Sequence, residues 1–122
     1  VSQRQLMGGG TMINQLLAPP RPLDDREALT LNLNMNAFML SQFLHGEQGA
    51  LLATAKIVDT VPWAEAKWYA ANQVADEARH VEVYHRYLTE KLGISYEIHP
   101  SLGALLGDIM TDGRWDVTYL GM

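Results

Sequence analysis

The chain has 122 residues, no cysteine and a formal net charge of −5. That length suits one domain able to bury its own core, and the lack of cysteine excludes disulfide frameworks, zinc–thiolate sites and thiol nucleophiles. Basic residues are interspersed with acidic ones, which argues against nucleic acid as a partner. No stretch stays apolar for the ~20 residues that a membrane span needs, and no charged-then-apolar leader opens the sequence, so the default location is cytoplasmic. Charged residues make up 19%, a little low, so part of the surface is expected to meet a partner.

Residues 1–25 read as an irregular arm. Gly8-Gly9-Gly10 and Pro19-Pro20-Arg21-Pro22 break it on either side of an apolar patch, Met12 to Leu17, that suits a single docked helical turn. Residues 26–122 form the domain. Asp24 or Asp25 supplies an N-cap, and the spacing predicts a helix over about 26–58. On a helical wheel Leu33, Asn36, Leu40, Phe43, Leu44, Glu47, Leu51, Thr54 and Val58 fall on one side, with Met35 and Met39 as core filling. Gly46 and Gly49 flank Glu47. Each costs about 1 kcal/mol of helix propensity relative to Ala, which predicts close approach of another backbone or a ligand.

Asp59-Thr60-Val61-Pro62 makes a short turn, so the second helix, about 62–92 and ended by Gly93, lies antiparallel to the first. Its inward face holds Ala66, Ala70, Gln73, Glu77, His80, Val81, Tyr84 and Leu88, and Arg79, Glu82, Arg86 and Glu90 form a solvated back. Trp63, Trp68 and Tyr69 suit interhelical packing. Ala50, Ala53, Ala70 and the glycines near Glu47 leave room for a cavity. His45, His85 and His99 fit no ligand spacing and are expected at the surface or in packing. A connector follows from Ile94, then a short helix from about Pro100 to Met110, stopped by Asp112-Gly113. A further helix opens with Trp115, Tyr119 and Met122 at helical spacing.

Asp76-Glu77-Ala78-Arg79-His80 carries the chemistry. Residues three apart share a helix face, so Glu77 and His80 project a carboxylate and an imidazole into one space. Glu47, in the apolar stripe of the first helix, comes to the same height when two helices rising about 1.5 Å per residue pack antiparallel. Two carboxylates on apolar faces are costly to bury ionised, so the trio either holds a metal or forms a hydrogen-bonded cluster with one carboxyl protonated. Carboxylate and imidazole donors suit iron or manganese, without separating the two. Gln73 is placed to touch a bound ligand or to be a plain buried amide.

The block from His45-Gly46-Glu47 to Tyr84-His85-Arg86-Tyr87-Leu88 resembles the first metal-binding helix pair of the ferritin-like di-iron carboxylate superfamily. Asp76-Glu77-Ala78-Arg79-His80-Val81-Glu82 looks most like the motif of ribonucleotide reductase small subunits, their ligand-binding oxidase relatives and bacterial multicomponent monooxygenases. The resemblance implies an all-α, ferritin-like bundle of which this chain is about half. It implies a terminal ligand role for Glu47, a bridging role for Glu77 and a nitrogen ligand in His80. Asp76 would support a histidine of the other half-site, and Tyr84 stands where the reductases carry a radical tyrosine. The family completes its centre with a further Glu and a second Glu-x-x-His, which this sequence lacks. The remaining ligands are then expected from a longer protein or from a second copy, as in encapsulated ferritins; the first residue, Val1, and the short last helix favour a longer protein.

The function expected from this resemblance is a di-iron, or mixed iron and manganese, oxygenase or oxidase. It would use dioxygen on a small apolar or aromatic substrate or acyl chain, served by an electron-donor protein. A homodimeric ferroxidase or iron-handling protein is the alternative, and a metal-free helical interaction module a third.

Overall fold

The structure is a computed structural model that describes residues 18–121. The Met12–Leu17 patch and Met122 lie outside the described residues. Helix α1 spans Asp25–Thr60 and begins in a capping box. Asp24 Oδ1 accepts from the Glu27 N–H at 2.8 Å and Glu27 Oε2 accepts from the Asp24 N–H at 3.1 Å, satisfying two donors that the helix end would otherwise orphan. The Arg21 guanidinium holds both oxygens of Glu27, at 2.8 and 2.6 Å. That bond and the Asp24 N–H hold the Glu27 carboxyl down at about 2.

Val61 and Pro62 end α1, because Val61 is extended and Pro62 has no N–H to continue the ladder. Lys67 Nζ donates to the carbonyls of Val58 and Asp59 at 2.7 and 2.9 Å, placing a cation on the negative helix end. Helix α2, Ala64–Arg86, starts two residues later than Pro62 suggested. Trp63 remains extended there, and its ring meets Trp115 edge to face with centroids 5.5 Å apart. The helix continues as a wider, π-type turn over Tyr87–Leu92 and stops at Gly93. Gly93 takes φ +63°, which a side chain would resist, and its N–H donates to the Leu88 carbonyl at 2.8 Å.

The two long helices are antiparallel. As α1 runs from Phe43 through Glu47 to Ile57, its partners on α2 run back from Tyr84 through His80 to Ala70. The predicted inward face of α2 is the observed one: Ala70, Glu77 and Leu88 are buried, Ala66, Gln73, Val81 and Tyr84 half-buried, and only His80 lies open. Arg86 pairs on the solvated back with Glu90 at 3.0 Å and Glu82 at 3.7 Å. On α1 the predicted stripe is covered in part: Leu44 and Thr54 are buried and Leu40, Glu47, Leu51 and Val58 half-buried, but Leu33, Asn36 and Phe43 are exposed, as are Met35 and Met39, expected as core filling. The other buried positions are mostly small residues, Ala28, Ala37, Ser41, Gly49 and Ala53. Small side chains let the neighbouring segments approach α1 closely, and the large ones beside them are left without cover. Trp68 and Tyr69 are likewise exposed, so of the aromatic trio only Trp63 is seen in a ring pair.

The connector after Gly93 lies along α1, held by polar side chains. Ser41 Oγ accepts from the Tyr96 N–H at 3.0 Å, Asn34 Oδ1 accepts from the Tyr96 hydroxyl at 2.6 Å, and the Gln42 amide exchanges bonds with the Glu97 carbonyl and His99 N–H at 2.9 and 2.7 Å. His45 Nε2 donates to the Tyr96 carbonyl at 3.0 Å. This strap delivers α3, Pro100–Thr111, to α1, and α4, Trp115–Gly121, closes over the same helix. Lys56 Nζ donates to the Ile109 and Met110 carbonyls at 3.3 and 3.1 Å, and to that of Asp112, capping α3. The described residues contain no strand and no helix long and apolar enough to cross a membrane.

The two glycines beside Glu47 differ. A Cβ on Gly49 would lie 2.5 Å from Leu106 Cδ2 of α3, whereas one on Gly46 meets nothing within 4 Å. Gly46→Ala should therefore stabilise the chain by about 0.5–1 kcal/mol through helix propensity alone. Gly49→Ala should destabilise it, since overpacking of about 1–3 kcal/mol outweighs that gain. Thermal melts of the two variants test this; equal shifts would show that α3 does not lean on Gly49.

Candidate metal centre

Helix α1 presents Glu47 and helix α2 presents Glu77 and His80 at the same level of the pair. His80 Nδ1 lies 3.2 Å from Glu47 Oε2 and 3.2 Å from Glu77 Oε2. One donor atom from each of the three residues falls within 4.8 Å of the other two. Glu77 is buried at 9% exposure, Glu47 is half-buried, and the His80 side chain is 55% exposed, so the cluster has a dry side and an open edge. Gln73, one turn before Glu77, donates from Nε2 to Glu77 Oε1 at 3.3 Å and holds the oxygen that faces away from His80.

The titration of the group follows from this crowding. Burial, then the hydrogen bond shared with Glu77, pushes the Glu47 carboxyl up, against the pull of His80. Burial also pushes Glu77 up, but bonds to Glu47, Gln73 and His80 together outweigh it and hold Glu77 low. Hydrogen bonds from Glu47 and Glu77 raise the imidazole of His80. The crowding therefore favours the neutral form of Glu47, the ionised form of Glu77 and the imidazolium form of His80 relative to free side chains.

The donor set fits a divalent cation. Ligands about 2.1 Å from a metal lie about 3.0 Å apart at right angles and about 3.4 Å apart at tetrahedral angles. The observed 3.2 Å separations fall between these values. A divalent ion held by the three residues would compete with the proton on His80 and, at lower pH, with that on Glu47.

A cleft of about 590 Å³ opens against Glu47 and Glu77. Gly46, Gly49, Ala50 and Ala53 of α1 form one wall, as their small side chains predict, and Leu102 and Leu106 of α3 stand opposite. Among the described residues Glu47 and Glu77 are its only charged lining residues. Ala70, expected to open the same space, lines a separate cavity.

Other residues singled out from the sequence stand further off. Asp76 is exposed and pairs with Arg79 on the solvent side. Tyr84, one turn beyond His80, lays its ring against Phe43 at a centroid distance of 6.1 Å, and Phe43 lines the cleft. His45 ties down the connector and His99 Nδ1 accepts from the Ser101 N–H at the start of α3, so both do structural work that no local spacing announced. Comparison with protein-family models, with curated proteins and with solved structures finds no significant match.

Metal binding must displace the protons on Glu47 and His80. Because both groups are raised, affinity for Mn²⁺ should climb about tenfold per pH unit, as pH rises toward the His80 value above the ordinary ~6.5, and level off beyond it. Below that, where Glu47 is also protonated, the slope should approach twofold this steepness. Isothermal titration in buffers of different ionisation enthalpy counts the protons released. Affinity independent of pH between 5 and 8 would contradict the assignment.

Proposed function

We propose that this chain is a metal-dependent oxidase or oxygenase module of the ferritin-like type, with Glu47, Glu77 and His80 as its metal ligands. The observation that carries the reading is the convergence of two carboxylates and an imidazole from two helices at the wall of an apolar cleft. Iron, or iron with manganese, would supply the reaction with dioxygen that side chains cannot perform. Gln73 fixes the orientation of Glu77, and the burial of Glu77 keeps water from one side of the ligand set. The leucine-lined cleft excludes water from a substrate placed beside the carboxylates. Among the described residues no cation lines it, so it favours an uncharged apolar molecule over one whose carboxylate needs a counter-charge. Tyr84, stacked on the cleft residue Phe43, is the group placed to gate the cleft or to exchange an electron with the metal.

Three protein ligands do not complete a two-metal carboxylate centre, for which ferritin-like bundles use ligands from four helices. Under this reading the rest come from a second copy or from further chain. The exposed edge of His80 is the side left open to them.

The experiment is anaerobic titration with Fe²⁺, followed by elemental analysis and solution mass on the same sample, for the chain and for Glu47→Ala. Iron should bind the parent chain and be lost from Glu47→Ala, with affinity reduced at least about tenfold. Admission of dioxygen with and without an apolar substrate then separates an oxygenase from a ferroxidase, which oxidises iron without one. Unchanged metal content in Glu47→Ala, with a gain in thermal stability, would instead identify a metal-free polar cluster.

A further inference from the structure

A second cavity, of about 310 Å³, lies between the start of α2 and helix α4, and its composition differs from that of the cleft. Four of its wall residues are aromatic, Trp63, Tyr69, Trp115 and Tyr119, and Ala66 and Ala70 of α2 leave space between them. Trp63, Tyr69 and Tyr119 are each more than half exposed, so their rings are not consumed by the core. Among the described residues no side chain that is charged at neutral pH lines the cavity. An ion entering it would lose hydration without gaining a counter-charge, whereas a neutral ring meets faces and edges with which it can stack or pair edge to face. The volume lies at the small end of the range for organic ligands and suits one or two rings.

Gln73 lines this cavity as well as the cleft. Its amide orientation is fixed from the other side. A carboxylate only accepts, so the amide must turn its NH₂ toward Glu77 and its oxygen away. Among the described residues Gln73 Oε1 accepts no hydrogen bond, and it is not sealed from solvent. The cavity is mostly apolar, and the Gln73 amide oxygen joins the hydroxyls of Thr54, Tyr69 and Tyr119 as a polar group at its wall, which gives the site a polarity preference.

We propose that this cavity binds an uncharged, flat aromatic molecule carrying one O–H or N–H donor, with its ring among Trp63, Tyr69, Trp115 and Tyr119 and its donor on Gln73 Oε1. The site is separate from the metal ligands and needs no metal, so it stands or falls independently of the proposed function.

The test is calorimetric titration of the metal-free chain, kept in chelator, with 2-naphthol and with 2-methoxynaphthalene, the same ring system without the donor. One 2-naphthol should bind per chain, the methyl ether at least tenfold more weakly. Tyr119→Ala, on an exposed position of a short helix, should weaken 2-naphthol at least fivefold while circular dichroism stays unchanged. If that variant unfolds, Tyr69→Ala, also exposed, takes its place. Gln73→Leu should bring the two ligands to equal affinity, an effect that general loosening of the fold would not produce. Absence of saturable 2-naphthol binding, equal affinity of the two ligands for the parent chain, or binding that survives the tyrosine truncation would each overturn the assignment. So would tetramethylammonium binding as tightly as 2-naphthol, since that would make the aromatic walls a cation site.

Discussion

Two carboxylates from different helices share one imidazole, and this contact sets constraints on the rest of the chain. Glu47 and Glu77 are each 3.2 Å from His80 Nδ1, close enough that neither the helix register nor the protonation of the trio is free. A slip of α2 along α1 by one turn, about 5.4 Å, would strand Glu77 without His80's partner on α1 and leave a partly buried carboxylate beside apolar side chains. The pairings on either side keep the same register: Phe43 with Tyr84 above, Ile57 with Ala70 below. Polar and apolar contacts therefore specify one alignment, as expected of a sequence whose local and global preferences agree.

The third layer depends on α1 in a different way. The connector and α3 are attached through Ser41, Gln42 and His45, polar residues that bond backbone groups more than fifty positions away, and through Asn34, which accepts from the Tyr96 hydroxyl. These bonds satisfy the unpaired backbone of a segment with no helix or sheet ladder of its own. They also aim α3 at Gly49, where the missing side chain lets Leu106 approach. The apolar wall opposite Glu47 is thus a product of the strap: without it Leu102 and Leu106 would not face the carboxylates, and the cleft would be open helix surface.

Both long helices were legible in the sequence because their ends are local. Asp24 and Glu27 form the box, Pro62 removes a donor, and Gly93 takes the left-handed turn, each a property of a few neighbouring residues. The convergence of Glu47, Glu77 and His80 was legible because i, i+3 spacing and antiparallel packing are geometric rules. The packed face of α1 was legible only in part, since Leu44 and Thr54 are buried but Leu33 and Phe43 are not. Periodicity weights large apolar residues and so pointed to Leu33 and Phe43, while the packed line runs through Ala37, Ser41 and Ala53, which carry little hydrophobic signal. The same limitation hid the second cavity, whose aromatic walls come from two helices separated by about fifty positions in sequence. The structural roles of His45 and His99 rest on backbone partners, about which side-chain spacing carries no information.

Exposed apolar side chains stand on both long elements, Leu29, Leu33 and Phe43 on α1 and Tyr87 after α2, and a cavity of about 380 Å³ is lined by Leu29, Leu33, Asn36, Leu40, Tyr87 and Leu92. Two physical requirements shape these surfaces: Glu47, Glu77 and His80 are gathered by charge and hydrogen bonding, whereas burial along α1 follows side-chain size, so that Ala37, Ser41 and Ala53 pack while the larger Leu33 and Phe43 beside them stay exposed.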